Sequence, residues 1–327
     1  MASGRKWDKG SPLLSLRAFL LSSPVLLLLL FLLFSSSSPF AKVPSTTSAF
    51  SVPPPNPGFP TRIPPFDCRS CPQASPVFAS VVEGVRYPFF YSIADLGALP
   101  GNPHGEILRL LDGKPYSAPD ISGPIQEALE KIGAATRGLV VDVGGNVGMA
   151  IFAAAAMGRR VVSFEPVFEN LQRICDGVFL NRAWDRVTLF AAAASDHSGN
   201  ITFHKLVGRL DNSAVSATGA KMTFQDKAEI AIEVPTIPLD DVIPDSEEVA
   251  LIKIDVQGWE YHVLRGAKKI LSRDPGRAPF LMYEEDERLL SASNTSAQEI
   301  RLFLKSVGYN QCTRHGGDTH CSKLPVN

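Results

Sequence analysis

The chain has 327 residues, 45% hydrophobic and 20% charged, enough for one or two domains with a sizeable core. Its 32 basic and 33 acidic side chains leave a net charge of −1. That balance lacks the basic footprint on which nucleic-acid binding rests, so a small or uncharged substrate is expected and no nucleic acid.

Residues 1–17 form a basic tail, with Arg5, Lys6, Lys9 and Arg17 against Asp8. Residues 18–34 are apolar except for Ser22, Ser23 and Pro24, and as a helix they would span roughly 25 Å. A signal anchor is the expectation, with a cleaved signal or an organellar transit peptide as alternatives. The positive flank would then stay cytosolic and the remainder would lie in the lumen of the secretory pathway, Golgi or endoplasmic reticulum. Residues 35–66 are a Pro/Ser-rich stem, extended and semi-rigid because prolines dominate it and little in it can be buried. Residues 67–136 show helical patterns over 74–85 and 123–132 and read as an N-terminal helical extension, expected to pack on the main domain and close over its cofactor.

From residue 137 buried apolar runs alternate with helical segments. Strands are predicted at 138–142, 160–165, 187–194, 249–255 and 278–284, several of them ending in an acid. Such alternation indicates an α/β fold with a doubly wound, mostly parallel sheet. Residues 200–206 and 229–234 alternate with period two and suggest an antiparallel hairpin, with 207–228 a polar loop over the site.

The segment Asp142-Val-Gly-Gly-Asn-Val-Gly148 is a strand-to-helix turn whose glycines admit a ligand close to the backbone. Glu165 follows at the end of the second predicted strand, where a carboxylate can accept both hydroxyls of a ribose. The pair points to a nucleoside. A pyrophosphate would not favour the polar Asp142 and Asn146, whereas the ammonium of S-adenosylmethionine suits an acid.

The stretches VVDVGGNVG, VVSFEPVFENLQRI with FLN after it, AAAASDHSGNITF, VPTIPLDDV, ALIKIDVQGWEYHVLRGA and FLMYEED resemble, in order and spacing, the FkbM family of S-adenosylmethionine-dependent methyltransferases. The agreement toward the C-terminus looks like the plant branch. The resemblance implies a seven-stranded, Rossmann-like methyltransferase sheet over residues 137–327. It implies that Asp142, Gly144, Asn146 and Gly148 surround the methionine part of S-adenosylmethionine, that Glu165 holds the ribose, and that Ser195 and Asp196 flank the adenine. Lys253 and Asp255 would face the methyl group. The family pattern usually reads K-I-D-V-E-G, and here Gln257 stands in for the glutamate, which puts either activity or acceptor choice in question.

Methyl transfer to a poorly acidic hydroxyl calls for positioning and a base. Asp255 is the first candidate, Glu284 or Glu285 the next, and His262 a further one. Trp259 and Tyr261 either line an acceptor pocket or pack. The resemblance points to O-methylation of a sugar, glycan or small molecule, with no resident metal assigned. The alternatives are a binding or scaffold protein that has lost its chemistry, and a nicotinamide-dependent oxidoreductase.

Of the five cysteines, Cys312 and Cys321 flank a turn between two short strands and are expected to pair. Cys68 and Cys71 could form a local disulfide, or could join the C-terminal pair and His315 or His320 around zinc. Cys175 reads as a buried thiol. Asn200 and Asn294 open glycosylation sequons.

Overall fold

The computed structural model describes residues 61–324 apart from 76, 78, 94–96, 99–100, 104–107, 109–111, 114–120, 134–137 and 223–224. All of them belong to the second of two compact units, residues 53–327. The basic tail, the apolar segment 18–34 and most of the stem lie outside the described residues. Among those described, no helix is long and apolar enough to cross a membrane.

Two hairpins come first, β1 (Ala79–Val82) with β2 (Phe89–Ser92) and the two-residue strands β3 (Gly97–Ala98) with β4 (Asn102–Pro103). They precede helix α1 (Ser122–Ile132). The helix predicted over 74–85 is therefore a strand and a turn. Gly84 takes φ 77° to reverse the chain, and Val81 and Val82 pair with Phe90 and Phe89, a partner that local apolar spacing cannot reveal. Helix α1 matches the second helical pattern, and among the described residues of 67–136 it follows these two hairpins.

Then come β5 (Leu139–Val143), α2 (Met149–Ala156), β6 (Val161–Phe164), α3 (Phe168–Leu180), β7 (Val187–Phe190), β8 (Ala193–Ala194), β9 (Gly199–Leu206), a 3-10 turn (Leu210–Asn212), α4 (Ala217–Ala220) and β10 (Glu229–Ile237). The chain continues through α5 (Leu239–Val242), β11 (Val249–Ile254), α6 (Glu260–Gly266), α7 (Lys268–Leu271), β12 (Phe280–Glu284), α8 (Glu287–Ala292), α9 (Ala297–Ser306), β13 (Gln311–His315) and β14 (Asp318–Ser322). Seven strands form the main sheet in the order β7-β6-β5-β11-β12-β14-β13. The first five are mutually parallel, and β14 and β13 close the sheet antiparallel.

Both faces of the sheet are covered, which is why β5, β6 and β11 are near-continuous buried runs rather than alternating ones. On β5, Leu139, Val141 and Val143 enter one core with Ile252, Leu281, Val263, Ile300 and Leu304. Val140 enters the other with Ile125, Leu129, Ile151, Phe152 and Ile174. The predicted third strand divides: β7 ends at Phe190, and β8 leaves to join a second sheet with β10 and β9.

Two disulfides staple the domain, Cys68–Cys175 and Cys312–Cys321. The second is the expected one. The first corrects two expectations at once: Cys68 does not bond Cys71, which is free, and Cys175 is not a thiol. It also removes Cys68 from any zinc set, and no group of metal-ligating side chains forms among the described residues. The reason is tertiary. Phe66 N donates to Leu189 O at 2.6 Å along the outer strand β7, and Phe66 packs edge-on to Phe168 of α3, which delivers Cys68 to α3. The sequence separations are 107 and 9 residues, so chain entropy makes the long link worth about 2 kcal/mol more than the short one. Replacing both Cys68 and Cys175 by alanine is expected to lower stability more than replacing both Cys312 and Cys321, by about that amount, in urea unfolding under non-reducing conditions. An equal or reversed order contradicts the assignment of the long link as the main staple.

Candidate active site

The strand order turns back on itself between β5 and β11, and open α/β sheets bind ligands in the crevice above such a point. A cleft opens there, with about 780 Å³ between its walls when the part open to solvent is counted. Its floor is Gly144, Gly145 and Asn146 after β5, Glu165 to Val167 after β6, Ala192 to Ala194, Lys253 on β11, and Asp255, Val256, Gln257 and Trp259 after it. Phe203, Leu210, Asp211, Ser213 and Val215 form its opposite wall. The polar stretch predicted to lie over the site does so, and it is tied down. His204 N donates to Ala214 O at 2.8 Å, and Ser216 Oγ donates to Ala292 O at 2.8 Å.

Glu165 is buried, yet its carboxylate faces three donors: Asn146 N at 2.8 Å, Val167 N at 2.9 Å and Asn170 Nδ2 at 3.3 Å. Burial dominates these bonds and pushes its pKa up to about 7. A diol donates to the carboxylate rather than to the acid, so cofactor binding is expected to release protons and to weaken as pH falls through about 7. Calorimetry with S-adenosylhomocysteine from about pH 6 to about pH 8 checks this, and Glu165→Gln should flatten the dependence. The same shift carries a stability sign. The folded state holds this proton more tightly than the unfolded chain, so the contribution of Glu165 to stability declines as pH rises from the usual carboxylate range through about 7.

Asp142 does not reach the cleft. It is fully buried beneath the turn, where Ser163 Oγ donates to its Oδ2 at 3.3 Å and Lys253 Nζ lies 3.4 Å from its Oδ1. Burial raises its pKa against the pull of Lys253. The expected direct grip of Asp142 on a ligand ammonium is thus corrected: its charge is spent on Lys253. That lysine also donates to Gly144 O at 3.0 Å and lies 3.7 Å from Asp255 Oδ2. Burial disfavours the ammonium, but Asp142 and Asp255 outweigh it and raise the Lys253 pKa. Lys253 therefore ties β5 to β11 under the cleft.

Gly148 stands outside the cleft lining, at φ 93° as the first residue before α2. A Cβ there would lie 2.3 Å from the Phe152 ring, so its smallness serves helix packing. Ser195 and Asp196 also stand outside the lining. Ser195 Oγ accepts from Trp259 Nε1 at 3.3 Å. Asp196 pairs with His197 at 2.7 Å and with His262 and Arg265 at 3.4 Å. Burial pushes the Asp196 carboxyl up, but these partners outweigh it and hold it below the usual range. Both residues thus act on the cleft through Trp259, which lines it and stacks on His262 at 3.7 Å.

Asp255 reaches the cleft and Glu284 stands directly behind it. Gln257 Nε2 donates to Asp255 Oδ1 at 3.1 Å and to Glu284 Oε2 at 3.0 Å. Burial first, then the neighbouring Asp255, Glu260 and Asp318, drive the Glu284 pKa well above the carboxylate range. Glu284 accordingly holds a proton at neutral pH and does not serve as a free base. Glu285 points elsewhere. It is buried against Arg301 and accepts from Tyr283 Oη at 2.8 Å, a structural pair. Tyr261 packs edge-on to Phe303. His262, with its pKa lowered by burial against the pull of Asp196, supports Trp259 instead of entering the cleft.

Glu260 is a residue the sequence reading passed over. Its buried Oε1 accepts from Val256 N at 3.0 Å and Gly258 N at 3.2 Å, which pins the turn carrying Asp255 and Gln257. Burial raises its pKa to about 7 despite these donors. Glu260 is the first residue of α6 rather than the third, so it lacks the spacing of a capping box and gave no local signal. Of the wall residues, Phe203 lay on the predicted hairpin strand 200–206, whereas Leu210, Asp211, Ser213 and Val215 had no signature of their own within the polar stretch 207–228.

The residues fit a nucleoside thioether. Asn146 Oδ1 is buried without a hydrogen-bond partner in the described structure, Glu165 offers a carboxylate, and Gly144 and Gly145 line the floor between them.

The chain matches the methyltransferase FkbM domain over residues 142–310. A search of the curated proteins returns no significant match. Among solved structures it is similar to the 16S rRNA N2 G1207 methyltransferase RsmC of T. thermophilus in complex with AdoMet and guanosine. That likeness has 12% identity over 76% of this chain and 50% of the other, with a TM-score of 0.38. The N-terminal domain of human METTL16 in complex with SAH gives 11% identity over 64% and 72%, with a TM-score of 0.37. The ribosomal protein L11 methylase of Lactobacillus delbrueckii subsp. bulgaricus gives 13% over 60% and 74%, with a TM-score of 0.32. Likenesses this distant do not bear on function. The domain match covers about half of the sequence, begins at the last acid of the central strand and takes in the whole cleft floor: the chain belongs to the FkbM methyltransferase family.

Proposed function

We propose that the chain transfers a methyl group to a hydroxyl of a sugar, glycan or small molecule, with Asp255 as the base. The cofactor is S-adenosylmethionine, which when bound supplies an electrophilic methyl on a sulfonium. Glu165 would hold the ribose, and Asn146 with the Gly144–Gly145 backbone would hold the amino acid part. Asp255 carries the reading. It is the carboxylate that enters the cleft at the tip of β11, across the floor from Glu165, with one oxygen bonded by Gln257 and the other facing Lys253. From there it can take the proton of a hydroxyl as the new bond forms. The apolar wall of Phe203, Leu210 and Val215 excludes water from the reacting groups. The retained polar connections around Gln257 favour an active enzyme over a scaffold.

The net charge of −1 favours an uncharged acceptor over RNA. The basic tail, apolar segment 18–34 and proline-rich stem support a tethered enzyme facing the lumen of the secretory pathway. Two disulfides suit that oxidising compartment, and the sequon residues Asn200 and Asn294 are both exposed. Calorimetric titration with S-adenosylhomocysteine and with NAD tests the cofactor: binding of the first and not the second is expected. Incubation with labelled methyl donor and a Golgi or cell-wall glycan extract tests the acceptor. Binding of NAD alone would overturn the reading.

A further inference from the structure

We propose that Gln257 is a positioning residue for the proton acceptor, clamping Asp255 and Glu284 with the two hydrogens of one amide. The proposal rests on the reading of Asp255 as the base. Three features make the clamp specific. Gln257 adopts φ 55°, a left-handed conformation that costs a non-glycine residue about 1 kcal/mol, so the turn holds it there against its backbone preference. The turn is fixed on both sides. Val256 N and Gly258 N are tied to Glu260, and a Cβ on Gly258 would lie 2.3 Å from Leu289 O. With the backbone fixed, the side chain reaches Asp255 Oδ1 and Glu284 Oε2 on two different strands at 3.1 Å and 3.0 Å.

A side-chain amide can give one hydrogen to each carboxyl, whereas a carboxylate here could only accept. A third acid at this point would bring Asp255, residue 257 and Glu284 together, and like charges so close cannot all ionise. The surroundings give little relief. The charged groups facing the pair are Lys253 on β11, Asp142 on β5, Glu260 on α6, Asp318 on β14, and Asp286 with Arg288 beside Glu284. Four of these six are further acids, and Lys253 is already shared with Asp142. Gln257 therefore does by hydrogen bonding what no spare cation among the described residues is placed to do: it lets Asp255 stay available to a proton from the acceptor while Glu284 keeps its own. The amide in place of the family's usual glutamate is then a change in how the site manages protons, with the binding groups for cofactor left as they are.

The test is a carboxyl titration of the full chain, labelled with carbon-13 at Asp and Glu carboxyls and followed by NMR, with Asp255→Asn to assign the Asp255 signal. Thermal unfolding and S-adenosylhomocysteine affinity are measured on each protein. Gln257→Glu is expected to raise the Asp255 midpoint by about one pH unit or more, through an added like charge. Gln257→Leu, which removes the donor and adds no charge, should raise it by less. An unmoved Asp255 midpoint in well-folded Gln257→Glu and Gln257→Leu proteins overturns the proposal. Failure of both substitutions to fold overturns it as well, since Gln257 would then be holding the turn alone. Absence of S-adenosylhomocysteine binding in the unaltered protein would instead refute the cofactor assignment, whatever the titration shows.

Discussion

Gly144→Ala is expected to destabilise the domain by about 3 kcal/mol and to weaken S-adenosylhomocysteine binding by at least about tenfold. Gly144 has φ 85°, which charges an alanine about 1 kcal/mol before any contact is considered. The larger part is steric. The new Cβ would lie 1.9 Å from Asp255 O and 3.0 Å from Asp255 C, both backbone atoms, so no side chain can swing aside. Asp255 N donates to Val143 O at 3.0 Å and Gly144 N to Phe164 O at 3.0 Å, so neither strand tip can move without losing a ladder bond. Relief must come from separating the tips of β5 and β11, which is the distance that sets the cleft floor. Thermal unfolding and calorimetry measure the two effects. An alanine protein with unchanged melting and unchanged affinity would show that the tips are not locked in this way.

Asp255→Asn is expected to lower methyl transfer by about two to four orders of magnitude, with the fold retained. The substitution keeps the shape and removes the proton acceptor. Its cost to the ground state is modest but real. The oxygen of the introduced amide can still accept from Gln257 Nε2, but its nitrogen then faces Lys253 Nζ, donor against donor, in a half-buried setting, a mismatch of about 1 kcal/mol. Transfer of labelled methyl to an acceptor found in the glycan extract is the measurement. Full activity in this variant would remove Asp255 from the base role and return attention to the binding groups alone.

Much of the candidate site was legible because it is built from strand tips. In a parallel sheet the residue that ends a buried apolar run lies at one known edge, so Asp142, Glu165 and Asp255 could be placed at that edge from pattern alone. Their individual duties could not. Asp142 and Glu165 end adjacent strands, yet Lys253 neutralises the first from below while three N–H groups hold the second open to the cleft. The difference comes from a lysine more than a hundred positions away in the chain. Glu284 and Glu285 are neighbours in sequence that alternate across the sheet, and only the partners on each side send one to Gln257 and the other to Arg301. Ser195 and Asp196 lie further from the cleft than the family pattern implied, because β8 has left the main sheet to pair with β10.

The sequence by itself determined the mostly parallel sheet through five of its strands, the glycine turn after the first of these and the family to which the domain belongs. Each of these depends on runs of neighbouring residues, and hydrophobic burial and backbone sterics read such runs locally. The tertiary structure alone decided which cysteine Cys68 joins, that Ala79–Val82 pairs with Phe89–Ser92 as a hairpin, and that Gln257 joins two acids from the ends of separate strands. Those outcomes depend on which distant surfaces meet, and a pairing energy between remote segments leaves no period in the chain.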